Sequence, residues 1–375
     1  QSIDDLCDVW SPGWPRCSTR LASTMDGSTL FTASGRRIYR LVVEGIDQGR
    51  EKVEGKEDDE EWTGGEDYLP VERGDHILAS LSRVRERPEH VLEVQTVVVD
   101  RWRLASIDAG GRTIVGVFGG KGEMLRNNGN GPGMDTFRIA YVLNPDGATT
   151  GEPGWAGLSL HPSRESSTVT ARFFYRTATL YDADMAVRSF RTLACPSAIS
   201  YINDGDEVFA LAEGRFVSVW DPRVAENGGC VLRKAWGGTG KLYCISVLPS
   251  SGLIATAGSE RTVQVADIRT QAIRHRWTSC LKYECVWLSL SESDPGTCHV
   301  VGMDNEFACG VYDPTTMNTS RLSPQKVTPM LSGALARSPA RLFGFRADDR
   351  WIGLVSKDRF TLGLSERKTL YVLEG

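Results

Sequence analysis

Three aspartates close three apolar runs in the same way: Leu180-Tyr181-Asp182, Val219-Trp220-Asp221 and Val311-Tyr312-Asp313, with Val265-Ala266-Asp267 as a weaker fourth copy. The successive spacings of the four aspartates are 39, 46 and 46 residues. A period of about 40–45 residues with an aromatic-Asp pair at one phase marks a small β-sheet unit that cannot bury both of its faces alone. Such units must stack around an axis. The period therefore predicts a closed ring of antiparallel sheets, a β-propeller.

One unit is readable in full. Residues 242–247 alternate as a strand, Pro249-Ser250-Ser251-Gly252 turns the chain, 253–258 give a second strand and 262–267 a third. Residues 157–162 leading to Asp182, and 197–201 leading to Asp221, repeat the phase. Together with the literal Trp220-Asp221 dipeptide, these motifs resemble the WD-repeat (WD40) family. The likeness runs from about residue 20 to 375 and is most specific over 155–313. It implies an all-β fold with four-stranded antiparallel blades, in one domain covering 1–375.

Counting outward gives seven blades. Residues 21–43 read as the first, with a turn at Asp26-Gly27, and 90–118 as the second, with a turn at 108–111. Residues 284–313 are assigned to the sixth. The runs 342–345, 351–355, 360–364 and 370–373 are assigned to the seventh. Two features depart from the family pattern. The first two blades lack the aromatic-Asp pair. No Gly-His dipeptide precedes a first strand, so the family's buried His-Asp network is not expected to form in its regular way. Asp304 and Asp358 match the family's turn aspartate between the second and third strands, and Glu260 stands in for it in the fifth blade.

Charge is unevenly distributed. The net charge of −5 conceals a segment, 44–75, that holds 13 acidic and 4 basic residues. Like charges with few apolar neighbours stay solvated. Residues 45–74 therefore read as an acidic, disordered insertion between the third and outermost strands of the first blade, with a basic partner as its potential ligand. A Gly/Asn-rich stretch, 119–135, reads as a loop. It carries neither G-x-x-x-x-G-K-[ST] nor G-x-G-x-x-G, so nucleotide binding is not expected. Nine scattered cysteines, with no C-x-x-C and no zinc spacing, fit reduced thiols in an intracellular protein, cytoplasmic or nuclear. No apolar run is long enough to span a bilayer.

Catalytic signatures are lacking: there is no H-E-x-x-H, no G-x-S-x-G, and the five histidines are far apart. His161 reads as a turn cap. No enzyme activity, cofactor or metal is expected. The family resemblance implies a protein-interaction scaffold, a subunit or adaptor that binds peptides or domains on the propeller face. RNA binding is the alternative, motivated by Arg101-Trp102-Arg103 and Arg172-Phe173-Phe174-Tyr175-Arg176. In the family, residues just ahead of the first strands and in the turns between second and third strands line the narrow face. By phase, the resemblance implies Trp155, Tyr243, Tyr283 and Arg341 at the first position, and Tyr175, Ser259, Met303 and Lys357 at the second. Tyr, Trp, Arg and Met are interface-forming residue types.

Overall fold

The computed structural model describes residues 19–24, 27, 29–44, 78–83, 90–118, 137–145, 153–203, 205–291, 296–312, 340–357, 360–367 and 369–374. Their strands form seven antiparallel sheets, spanning 21–83, 94–143, 156–191, 196–234, 242–277, 285–346 and 351–374. We call these blades 1 to 7. Six have four strands in chain order. Three strands of blade 7 are described: Trp351–Lys357, Phe360–Ser365 and Leu370–Glu374. Among the described residues the helical content is a single 3-10 turn, Glu226–Gly229. No described helix is long and apolar enough to cross a membrane.

Burial follows position in the blade. The second and third strands of blade 4, Phe209–Glu213 and Phe216–Trp220, are buried almost throughout, because neighbouring blades cover both sheet faces. This is why they read as near-continuous apolar runs. The outermost strand of blade 3, Met185–Arg191, leaves Met185 and Val187 exposed on the rim.

Seven apolar clusters occupy the seven junctions between blades. Each first strand packs on its neighbours. Leu21–Ser23 of blade 1 touches both Val94–Asp100 of blade 2 and Trp351–Lys357 of blade 7. The junction of blades 7 and 1 buries Leu21, Leu30, Ile352 and Leu362, and Thr19 bridges to Gly353. Closure leaves neither of these two blades with an uncovered apolar face at the junction. Packing is tight enough to dictate glycine. A Cβ at Gly310, in the third strand of blade 6, would lie 2.4 Å from the ring of Trp277 on blade 5.

Trp220 sits at the junction of blades 3 and 4, 2% exposed. Its ring meets Phe190 edge-on at 5.6 Å, and its Nε1–H donates to Ser218 Oγ at 2.9 Å. Two of the recurring aspartates, Asp221 and Asp267, cap the following turn. Asp221 accepts the Arg223 amide and guanidinium. Burial opposes the charge on Asp267, but the Arg274 guanidinium and the amides of Thr270 and Arg269 outweigh it and hold its pKa down to about 2. Asp313 lies outside the described residues. Cys244, Cys280, Cys285, Cys298 and Cys309 are buried thiols in blades 5 and 6, while Cys195 and Cys230 are half-buried.

The strands correct two sequence readings. Residues 342–345 were expected to open blade 7. They lie instead in Ala340–Arg346, the outermost strand of blade 6, which pairs with Glu306–Val311. The long segment before this strand separates it from its own blade and leaves it adjacent in sequence to the next. Second, among the described residues a buried His-Asp network does form, in blade 2. His90 Nε2 lies 2.7 Å from Ser106 Oγ, and Nδ1 lies 3.4 Å from Asp108 Oδ2, all buried. A Gly before the histidine is not needed for this. The acidic segment does join the third and fourth strands of blade 1, Arg37–Glu44 and Leu78–Arg83. Its own residues, and 119–135, lie outside the described ones.

Replacing Trp220 by Ala is expected to destabilise the ring by about 3–5 kcal/mol, the range for emptying a large buried aromatic site. Chemical denaturation measures this, and an unchanged midpoint would contradict the packing described. A second expectation concerns acid. His299 of blade 6, with Nδ1 3.1 Å from Thr361 Oγ1 of blade 7, is driven by burial to a pKa of about 4. This folded value lies below that of an unfolded histidine, so the stability conferred by the neutral ring is complete above about pH 6.5 and is lost as pH falls toward 4. Over that window the stability advantage of the parent over His299→Gln should shrink by about 3 kcal/mol. Denaturation at a series of pH values tests this, and parallel curves would refute it.

Candidate partner-binding face

In a blade of four antiparallel strands, the turn between second and third strands emerges on the same side as the loop that enters the next blade. In this chain acidic residues at those turns pin the loops. Glu213, fully buried at the end of the second strand of blade 4, accepts the amides of Leu193 and Ala194 at 2.6 and 3.1 Å, and Arg233 Nε at 3.0 Å. Glu306 of blade 6 accepts the Lys282 amide at 2.6 Å. Glu260 of blade 5 accepts the Thr239 hydroxyl and the amides of Thr239 and Gly240, which lower its pKa. Asp108 of blade 2 accepts the Leu92, Gly110 and Arg112 amides. Carboxylate-to-amide bonds thus do in blades 4, 5 and 6 what the histidine does in blade 2. Glu260 was legible as a turn acid, whereas in blade 6 the pinning group is Glu306 rather than Asp304.

Main-chain bonds tie the same turns to neighbouring loops. Leu242 N–H donates to Gly214 O across the junction of blades 4 and 5, and Met303 N–H to Glu284 O within blade 6. The face is therefore a set of doubly held loops that present side chains from fixed positions. His161 has the capping role read from sequence, since Nδ1 accepts the Ser163 and Arg164 amides. Burial lowers its pKa.

Six of the eight residues singled out from sequence lie at this face by strand order: Trp155, Tyr175, Tyr243, Ser259, Tyr283 and Met303. They are not equivalent. Trp155 is only 3% exposed and packs in the junction of blades 3 and 4, so it is a core residue and no contact surface. Ser259 Oγ accepts the Lys241 amide at 2.8 Å and is a loop fastener. Tyr175 is half-buried beneath the Arg172 guanidinium, 4.2 Å from its ring centre. Tyr283 is 44% exposed, with Lys282 Nζ over its ring. Tyr243 and Met303 line one cavity.

The other two are corrected by topology. Arg341 falls in Ala340–Arg346, the outermost strand of blade 6, near the end joined to the third strand. Lys357 ends the first strand of blade 7 and pairs with Phe360. Both positions are at the opposite face. Each displacement follows from the single error of giving 342–345 to blade 7.

The cavity has a volume of about 440 Å³, within the range of ligand pockets. Phe173 and Arg176 come from the turn of blade 3, Leu193 from the loop into blade 4, Lys241 and Tyr243 from the entry to blade 5, and Met303 from blade 6. Leu193 was missed by sequence reasoning. Its signal is a large aliphatic in the short loop ahead of Pro196, where it is 56% exposed. Phe174, beside the cavity wall, is 45% exposed. The two Arg/aromatic clusters behind the RNA alternative do not meet. The turn holding Arg101 and Trp102 joins the first and second strands of blade 2, and 173–176 joins the second and third strands of blade 3, so they lie on opposite faces. Among the described residues no group of three or more His, Cys, Asp or Glu side chains could hold a metal ion.

No protein-family model matches the chain, and no curated protein matches it by sequence. Among solved structures, a chain in a crystal structure of the mitotic checkpoint complex is similar over 98% of this chain and 90% of its own length, with a TM-score of 0.63 and 12% identity. At that identity the likeness is one of fold, a seven-bladed β-propeller.

If carboxylates fasten the face, Glu213→Ala should cost about 3 kcal/mol, because it leaves two amides and the Arg233 guanidinium without their buried partner. It should also raise hydrogen exchange at Leu193 and Ala194. Unchanged exchange at those two amides would show that the loop is held by other means.

Proposed function

We propose that this chain is a divergent WD-repeat-like propeller that serves as a rigid, non-enzymatic interaction platform. It captures a peptide or domain of a partner protein on the face that carries Tyr175, Tyr243, Tyr283 and Met303. One observation carries the reading. Phe174, Leu193 and Tyr283 project large apolar surface from segments whose main chain is held, Phe173 N–H by Trp155 O, Leu193 and Ala194 by Glu213, and Lys282 by Glu306. Apolar side chains held in place at a solvent face are typical of interaction sites, and pre-fixed loops reduce the ordering cost of binding. The fold likeness to a component of a multi-protein complex supports the same reading. The RNA alternative is the weaker of the two, since its two Arg/aromatic clusters cannot act on one strand from opposite faces.

The test compares partner capture by the tagged parent, by a face variant (Tyr243→Ala, Tyr283→Glu, Met303→Ala) and by a rim variant (Met185→Ala, Val187→Ala), with quantitative mass spectrometry. The face variant should lose the proteins that the parent enriches, the rim variant should keep them, and both should retain the parent's melting temperature. Equal capture by all three would overturn the assignment of this face.

A further inference from the structure

The cavity on the proposed binding face has a charge character of its own. Of its lining residues, Arg176 and Lys241 are cationic and none is acidic, although the chain as a whole is net negative. Both side chains are exposed, and among the described residues neither has a carboxylate within ion-pair distance. Of the nearby acids, Glu213 is paired with Arg233, and Glu260 is turned to the Thr239 hydroxyl and the Thr239 and Gly240 amides. Between the two cations the walls are apolar, built by Phe173, Leu193, Tyr243 and Met303.

Arg176 also adopts an uncommon backbone state. Its φ is 51°, the left-handed conformation that Gly214 takes at the matching turn of blade 4 with φ 59°. An arginine there costs more than a glycine would, about 1 kcal/mol. The turn does not need this side chain for packing, because it points to solvent at the cavity mouth.

We infer that this cavity receives an acidic peptide segment of a partner protein, with one aliphatic or aromatic side chain inserted between Phe173, Leu193, Tyr243 and Met303 and with flanking carboxylates on Arg176 and Lys241. The inference rests on the interaction-platform reading and specifies its partner's chemistry. The volume accommodates one large side chain and part of the adjoining backbone. Two cations at the edge of an apolar site suit a short acidic flank. A nucleic-acid strand would call instead for a run of cations that follows its phosphates.

The experiment measures fluorescence anisotropy of a labelled peptide in which Leu-Phe is flanked on both sides by Asp and Glu. Three companion probes are used: the same peptide with Lys flanks, the acidic peptide with Ala-Ala for Leu-Phe, and labelled oligouridine. The full chain should bind the first probe best. The R176E/K241E variant should weaken it by about tenfold or more, as loss of charge complementarity at two contacts requires, and should turn the preference toward Lys flanks. R176Q/K241Q should give an intermediate loss, which separates neutralisation from misfolding. Three results would overturn the inference: equal binding of acidic and Lys-flanked probes, equal binding after charge reversal, or tighter binding of oligouridine. If any of these occurs while the face variant still loses its captured proteins, the platform reading stands and the acidic chemistry alone falls. If capture is insensitive to the face variant, the assignment of this face fails and the inference falls with it.

Discussion

The structure depends on closure of the ring. A single four-stranded blade has two apolar faces, and neither can be buried within the blade. The contact between blades 7 and 1, where Leu21 and Leu30 meet Ile352 and Leu362, makes every face an interior one. All seven junctions then become equivalent in kind, each a thin apolar layer between two sheets. The tightness of these layers explains the glycines that face rings, such as Gly310 against Trp277, and the tryptophans that lie between sheets, such as Trp155 and Trp220.

Within this frame the chain solves a local problem by an unusual route. The loops that enter each blade must be joined to the turn beside them, or the face frays. In blade 2 a histidine and an aspartate make the joint through their side chains. In blades 4, 5 and 6 a glutamate reaches main-chain amides directly. The longer glutamate side chain spans the gap that a histidine would otherwise fill.

How much of this was legible in the sequence varied with the physics involved. Blades 3 to 5 were readable because Asp182, Asp221 and Asp267 recur in phase and their strands follow one another with short turns. The fourth strand of blade 6 was misplaced because sequence proximity, the cue used, fails when a long segment separates paired strands. That one slip moved Arg341 and Lys357 to the wrong face. The fastening glutamates were partly hidden because a carboxylate that bonds to backbone leaves no partner residue type to search for. Glu260 could be matched to a motif position, but Glu213 and Glu306 could not. Burial of Trp155 was equally hidden, since its position just ahead of a first strand is compatible with either core or surface. The cavity itself draws on blades 3 to 6, and no local pattern encodes such a convergence.

The glutamate-to-amide fastening has a consequence for how this surface can change over time. A main-chain amide is the same in every residue except proline. Leu193, Ala194 and Lys282 can therefore be exchanged for other residues without loss of the bond that holds their loop. In blades 4 and 6 architecture and recognition are written in separate parts of the chain, one in the buried acids Glu213 and Glu306 and the other in exposed loop side chains. A lineage carrying this ring is free to revise what it binds while leaving what holds it together untouched.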